Sequence, residues 1–329
     1  MKLAFIVDPL PLLNPGHDST VALMEAAQAL GNEIWVTQAH QLSVIEGQAW
    51  ANLQQVELTP VQLVENRWVS VPNWYRLSAG LLQPLEEMDA VFMRIDPPVT
   101  MPYLYATYIL ELINPNQTLV INSPQGLREA NEKMYTLQFH QVMPATVVSQ
   151  DKSIIRKFVQ EKKAAVLKPL GGKAGEGILF LDPGDRNFNS IIEVSTQHGR
   201  EPVMVQAYLS AAKEGDKRII LLDGEPIGAV NRVPTGDEFR GNMAVGGRVE
   251  KTEITERELE ICAIVGPKLQ ADGLYFVGID VIGGYLTEVN VTSPTGIREI
   301  DLLSHTNLGK QIIEWLENAR GKRQEKTND

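Results

Sequence analysis

Short apolar runs separated by amphipathic stretches set the pattern of the first third of the chain. Residues 3–7 are continuously apolar after Lys2, which predicts a buried strand over 2–7. The run ends at Asp8-Pro9, too short for the core of a signal peptide. Asp18-Ser19-Thr20 offers an N-cap for a helix reaching about Leu30, where Gly31 stops it, and 33–38 reads as a second strand. Strand, helix and strand in that order predict a parallel sheet with crossover helices. Residues 41–88 are less regular, with strand-like pieces at 53–58 and 67–71. A buried strand over 89–94, a helix over 103–113 and a strand over 118–122 follow. Ser123-Pro124 then stands in the favoured N-cap and N1 order for a helix running to about Phe139. A domain boundary is expected near 123.

Beyond it the pattern changes. Strands at 144–149 and 165–168 flank a helix over 151–163. A helix at 188–198 leads to a strand over 203–209, and a strand over 219–222 turns at Asp223-Gly224 into its return over 227–233. A long, polar, glycine-rich loop spans 234–248; a loop of that length in a compact enzyme is more often a lid or binding loop than filler. Helices over 255–271 and 307–320 enclose a hairpin, and 321–329 is a polar tail that frays. The expected class is α/β, becoming α+β in the C-terminal half.

The hairpin, 276–290, holds unusual residues for a core element. Two β-branched runs meet at Gly283-Gly284, and between the apolar residues stand Asp280, Glu288 and Asn290. Glu288 and Asn290 share a face because side chains alternate along a strand. Asp280 joins them only if the connection restores parity. A two-residue Gly-Gly loop pairing Ile282 with Tyr285 turns Asp280 away; a three-residue loop closed by Val281 and Tyr285 brings all three together. Three oxygen donors on an apolar sheet are costly to bury unless a cation sits among them, and a hard divalent ion such as Mg²⁺ suits them. The other reading is a solvated sheet face.

Other features change the picture only in part. Lys168, inside an apolar strand, needs an anionic partner. It precedes a loop holding Gly171, Gly172, Gly175 and Gly177, which resembles neither the Walker A nor the G-x-G-x-x-G spacing. Such a loop can turn backbone N–H groups toward a phosphate and fold down as a lid. Arg94 and Asp96 close an apolar strand before Pro97-Pro98, and read either as a salt bridge at the sheet edge or as a contact to a charged substrate. Together with Lys133, Asp216-Lys217-Arg218, Arg232 and Arg240, these residues make the inventory that phosphoryl transfer from a nucleotide requires. A net charge of −11 argues against general nucleic-acid binding. A single cysteine, Cys262, excludes an intramolecular disulfide and favours a reducing compartment; its apolar helical setting marks it as core. No run of eighteen apolar residues suggests a membrane span. The five histidines show no zinc-ligand spacing.

The order Lys133, Lys168 with its glycine loop, strand 203–209, Asp280 and Glu288-x-Asn290 resembles the ATP-grasp superfamily. Arg94-Ile-Asp96-Pro-Pro, Asn131-Glu-Lys133, Leu167-Lys-Pro-Leu170, Gly215-Asp-Lys-Arg218, Arg240-Gly-Asn242 and Thr287-Glu-Val-Asn-Val-Thr-Ser-Pro294 are similar, more narrowly, to the bacterial glutathione synthetase family. The likeness runs from Asp8 to about Arg320.

The resemblance implies an N-terminal α/β substrate domain over 1–122, an ATP-grasp small lobe over 123–205 and a C-terminal lobe with the metal site over 206–320. It implies a cytoplasmic, ATP-dependent carboxylate–amine ligase that joins γ-glutamylcysteine and glycine through an acyl phosphate. The cofactors would be ATP and Mg²⁺, or Mn²⁺ in its place, with no nucleic-acid or membrane partner and assembly as a dimer or tetramer. Lys133, Lys168 and the loop of Gly171, Gly172, Gly175 and Gly177 would hold the phosphates. Gln206, Ala207, Tyr208 and Leu209 would meet adenine, and Asp216 would lie near the ribose. Asp280, Glu288 and Asn290 would bind the metal. Arg218, Arg232 and Asn242 would serve the transfer, with Arg94, Asp96, Arg240, Ser293 and Arg298 at the substrate. The usual Asp-Gly-x-Gly-Gly of that family's phosphate loop is absent, since Lys173 and Glu176 alter the loop's charge. Two alternatives share the ATP half: an ATP-grasp ligase for another peptide or protein, and a non-catalytic ATP-binding regulator.

Overall fold

The computed structural model describes residues 1–172, 175–235 and 247–328, with side chains as far as 321. The N-terminal elements are β1 (Lys2–Val7), α1 (Ser19–Ala29), β2 (Glu33–Thr37), β3 (Leu42–Ile45), β4 (Gln48–Leu58), β5 (Gln62–Val64), β6 (Arg67–Val69), β7 (Tyr75–Leu77), β8 (Leu81–Pro84), β9 (Ala90–Arg94), α2 (Met101–Leu110) and β10 (Leu119–Ile121). The main sheet runs β10-β9-β1-β2-β4-β3, with β7 and β8 also paired to β4. β1 is parallel to β2 and β9, and β9 to β10, the parallel arrangement expected of the opening pattern. Asp18 caps α1 by accepting from the Thr20 and Val21 amides. The irregular region holds more strand than its composition suggests. β4 is eleven residues long, and its inward positions include Ala49 and Ala51, whose small side chains carry little hydrophobic signal.

The remaining elements are α3 (Pro124–Glu129), a 3₁₀ segment (Met134–Val142), β11 (Thr146–Ser149), α4 (Lys152–Lys162), β12 (Ala165–Pro169), β13 (Leu179–Leu181), α5 (Phe188–Ser195), β14 (Val203–Ala207), β15 (Asp216–Leu222), β16 (Glu225–Val233), β17 (Arg248–Lys251), α6 (Glu256–Ala271), β18 (Phe276–Ile282), β19 (Tyr285–Asn290), α7 (Ile297–Ser304) and α8 (Leu308–Asn328). They build a four-stranded antiparallel sheet, β11-β14-β12-β13, and a five-stranded antiparallel one, β17-β16-β15-β18-β19. The four-stranded sheet has its own apolar core, where Ile155 and Val159 of α4 and Ile192 of α5 meet Leu167 and Val205.

The five-stranded sheet shares its core with the N-terminal sheet: Ile219, Ile279 and Val289 belong to the same buried cluster as Ile6, Met93 and Tyr103. Asn122 stitches the two together, donating to the Phe276 and Val291 carbonyls (2.8 Å each) and accepting from the Phe276 amide at 2.8 Å. Cys262 is buried in this core, where desolvation pushes its thiol up to about 12. That makes it an inert packing residue.

The helix expected over 123–139 is interrupted after Glu129, and the chain resumes as a 3₁₀ turn at Met134. The Asn131 side chain accepts from the Lys133 and Met134 amides, closing a local turn that competes with helix continuation. The interruption swings Glu132 and Lys133 toward β19, where the Val289 amide donates to the Glu132 carbonyl at 3.1 Å.

Candidate active site

The hairpin of β18 and β19 forms the floor of the site, and its register settles the parity question. Ile282 pairs with Tyr285, so the connection is the two-residue Gly283-Gly284 loop and not the three-residue one. Both glycines have positive φ (55° and 76°), the conformation of a hairpin turn whose twist suits the flanking strands. That loop alone would turn Asp280 away from Glu288. A register shift between Asp280 and Val281 corrects it: Val281 faces Leu286 while Asp280 faces Glu288, leaving Thr287 as a bulge residue. The Thr287 hydroxyl donates to the Asp280 carbonyl at 3.1 Å, pinning the bulge. Asp280 and Glu288 are therefore directly opposed, and the Asn290 amide donates to Asp280 Oδ2 at 3.3 Å.

Alternation along β15 delivers the cations. Asp216 and Arg218 point to this face, whereas Lys217 points to α6 and pairs with Glu258 at 2.7 Å. Arg218 grips Asp280 with two N–H groups (2.5 and 3.0 Å). Arg232, opposite Asp216 on β16, pairs with Asp216 at 2.6 Å and with Asp280 at 3.0 Å. Burial alone would raise the Asp280 carboxyl, but the two guanidiniums outweigh it and hold it well below the usual carboxylate range. Asp216 goes the other way: burial pushes it up to about 6 against the pull of Arg232. Its Oδ1 is buried and has no hydrogen-bond partner among the described residues.

Lys133 reaches the same floor from the interrupted helix, with Nζ 3.0 Å from Glu288 Oε1 and donating to the Gly172 carbonyl at 2.9 Å. It ties the glycine loop to the hairpin. Lys168 projects from β12 and donates only weakly, to the Thr287 carbonyl at 3.4 Å; desolvation lowers its pKa although Glu288 opposes the shift. Two connected recesses result. One is bounded by Gly172, Gly175, Lys133, Glu288, Asn290, Arg218, Arg232, Asp96 and the segment 292–295, which includes Ser293. The other is more apolar, lined by Val166, Ile178, Ile282 and the run Gln206, Ala207, Tyr208 and Leu209, with Lys168 and Asp216 at its inner end. Gly175 and Gly177 have positive φ (79° and 68°), a conformation that glycine adopts without strain.

Arg94 and Arg298 take up other positions. Arg94 is buried, donates to Thr20 Oγ1 at 3.1 Å and to the Pro294 carbonyl at 2.9 Å, and does not line the recess. Arg298 is buried against Glu25 at 2.6 Å, donates to the Pro15 carbonyl at 3.1 Å and lies over the Trp68 ring. Both hold the walls that carry segment 293–297. Arg240 and Asn242 lie outside the described residues, as does Lys173.

Two family models match the chain: prokaryotic glutathione synthetase, N-terminal domain, over residues 1–128, and prokaryotic glutathione synthetase, ATP-grasp domain, over 132–305. The chain belongs to the prokaryotic glutathione synthetase family. Curated glutathione synthetases are similar along nearly their whole length. That of Synechocystis sp. is 72% identical over 317 residues, covering 96% of this chain and 99% of the relative. That of Nostoc sp. is 66% identical, covering 96% and 98%. Among solved structures, the ATP-grasp ligase PsnB complexed with minimal precursor, Mg and ADP superposes with a TM-score of 0.62 at 16% identity, over 97% of this chain and 98% of that one. At that identity the likeness shows the ATP-grasp fold alone. As a prokaryotic glutathione synthetase the chain is an ATP-dependent ligase acting on small molecules, with ATP and Mg²⁺ as cofactors. No helix among the described residues is long and apolar enough to cross a membrane.

The residues on the floor fit Mg²⁺. No three His, Cys, Asp or Glu side chains gather as a metal cluster among the described residues. The donor set is two carboxylates and a carboxamide on one sheet face, with Asp280 held ionised. Mg²⁺ fills its remaining positions with water and phosphate oxygens, so a partial protein set suits it.

Glu132, which the interrupted helix turns into the recess, is a charged wall residue that carried no role from the sequence. Burial and the nearby Glu288 charge push its carboxyl up. The signal available was its place between Asn131 and Lys133, too brief to separate from a surface glutamate.

Proposed function

We propose that this chain joins γ-glutamylcysteine to glycine, with ATP converted to ADP and phosphate. One observation supports the reading: the Lys133–Glu288 pair, 3.0 Å apart, brings a lysine, a carboxylate and the glycine loop to one point of the cleft beside Arg218 and Arg232, the groups that a nucleotide phosphate and its metal would need. Lys133 and Lys168 hold the phosphates of ATP, and Gly171, Gly172, Gly175 and Gly177 cover them. Gln206, Ala207, Tyr208 and Leu209 receive adenine in the apolar recess, and Asp216 Oδ1 accepts from a ribose hydroxyl. Asp280, Glu288 and Asn290 hold Mg²⁺, which neutralises the phosphate oxygens when bound.

The cysteinyl carboxylate takes the γ-phosphoryl group because a free carboxylate has no competent leaving group. Arg218 and Arg232 keep N–H donors beyond those given to Asp216, Asp280 and Thr295, and these stabilise the acyl phosphate and the tetrahedral species formed when the glycine amine attacks. Asp96 and Ser293 bound the substrate side and Arg94 and Arg298 brace it, while Arg240 is assigned to the substrate and Asn242 to the transfer step. Residues 1–122 serve chiefly the peptide, 123–205 and 206–320 the nucleotide. The reducing cytoplasm suits the lone buried thiol.

Phosphate release from ATP tests the reaction. Release is expected with γ-glutamylcysteine and to rise sharply on adding glycine. Background release with this pair, alongside release with a different carboxylate and amine, would refute it.

An exposed face of α2 supports assembly as a dimer or tetramer. Met101, Tyr105 and Tyr108, with Leu112 just past its end, are exposed by 55, 58, 55 and 45%. Their spacing makes a heptad-like seam, and α2 itself bears no charged residue. The Arg128 guanidinium stacked on Tyr108 is matched by Glu111 of the same chain, so two copies can meet along this seam without charge repulsion. Tyr105→Asp is expected to yield monomers in sedimentation velocity at concentrations where the unmodified chain associates; unchanged association would rule this interface out.

A further inference from the structure

The carboxylates on the floor of the cleft, carried by β15, β18 and β19, are matched to cations. Glu288 pairs with Lys133, and Asp280 and Asp216 share Arg218 and Arg232. Glu132 lies on the same wall and meets only neutral donors. Its Oε1 accepts from the Val291 amide (3.0 Å), the Thr292 amide (3.2 Å) and the Thr292 hydroxyl (2.9 Å). Among the described residues nothing donates to Oε2. The three bonds fix the carboxylate against the segment immediately after Asn290, and its sequence neighbour Lys133 reaches Glu288. Glu132 therefore stands at the transfer centre, not at the rim.

A carboxylate there repels what the cleft otherwise gathers, since the nucleotide phosphates and the donor carboxylate are all anions. It is favourable only toward a positively charged reactant. Of the reactants in the proposed reaction, the acceptor amino acid brings its ammonium group to the transfer centre itself. We infer that Glu132 Oε2 receives the amino group of the acceptor amino acid and positions it for attack, which rests on the ligase reading above. In that attack the N–C bond forms and the C–O bond to phosphate breaks. One of the three ammonium protons first goes to solvent and frees the lone pair; of the other two, one stays on the amide nitrogen and one leaves on hydrogen phosphate.

The test is Glu132→Gln in the full chain, since glutamine keeps an oxygen to accept from Val291 and Thr292 and loses only the charge. Hydroxylamine serves as the second nucleophile: it is small and uncharged near neutral pH, and it traps an acyl phosphate as a hydroxamate. Glycine-dependent kcat/KM is expected to fall roughly a hundredfold, the scale of one charge-assisted hydrogen bond. Hydroxamate formation from ATP, γ-glutamylcysteine and hydroxylamine is expected to stay within about threefold, because that nucleophile brings no charge to be matched. Glu132→Asp, with the charge on a shorter arm, is expected to recover part of the glycine activity. Equal losses with both nucleophiles would make Glu132 a structural residue and overturn the assignment. A raised KM for γ-glutamylcysteine in the hydroxamate reaction would move the contact to the donor peptide, and a raised Mg²⁺ requirement would move it to the metal; either overturns it. If the unmodified chain forms neither glutathione nor hydroxamate, the ligase reading falls and takes this assignment with it.

Discussion

Glu288→Gln is expected to abolish turnover while leaving the fold in place. Glu288 stands opposite Asp280 on the hairpin, accepts from Lys133 at 3.0 Å and keeps 21% of its side chain exposed. Glutamine retains the shape and an oxygen for Lys133, so the change in stability should stay within about 2 kcal/mol, the scale of one charged hydrogen bond. The chemistry has no such cushion. As a residue that would hold Mg²⁺, Glu288 would support transition-state charge worth several kcal/mol, which corresponds to roughly a thousandfold in rate. Phosphate release under saturating ATP and substrates measures the loss, and a urea titration checks the fold. Activity within about tenfold of the unmodified chain would remove Glu288 from the metal site.

Arg218→Met should show a different balance, with large effects on both stability and turnover. Arg218 and Asp280 are 8 and 4% exposed, so removing the guanidinium leaves a buried carboxylate with Arg232 as its remaining cation. Breaking a buried pair from one side costs about 3 kcal/mol. Pairing the change with Asp280→Asn should recover much of that stability but none of the activity, because the buried charge is gone while the proposed metal ligand and the arginine are both lost. The sign with pH follows from the depressed Asp280 carboxyl. A group held down in the folded chain stabilises it above its unfolded value, about 4, and loses that contribution as pH falls through the folded value. The stability gap between the two chains should therefore be widest near neutrality and narrow in acid. An equal gap at all pH values would mean that Asp280 does not depend on Arg218 for its charge.

What could be read from the residues was whatever depends on local pattern. The parallel opening sheet followed from strand and helix periods, and the three donors of the hairpin followed from apolar runs broken by polar residues. Residues 123–139 misled because their helical period is real. The competing capping by Asn131 and the three hydrogen bonds waiting at Val291 and Thr292 are tertiary facts that no period expresses. Arg94 and Arg298 show the limit from another side. An arginine beside a cleft and an arginine beneath its wall have the same sequence context, and only burial against Phe276 or Glu25 separates them from a substrate contact. Thr287 was illegible for a simpler reason. A bulge is a count across two strands, and either strand read alone looks regular.

That count gives the hairpin an uneven tolerance to change. Substitutions at its outer positions, such as exposed Tyr285, leave the pairing untouched, so the composition of the turn is free to drift. Its length is not. Losing or gaining one residue between Ile282 and Glu288 would exchange the inward and outward faces of the strand, carrying Glu288 and Asn290 away from Asp280 together unless a second change of length undid the first. Through this segment the site is held by arithmetic more than by chemistry, and changes in length are accepted only in compensating pairs.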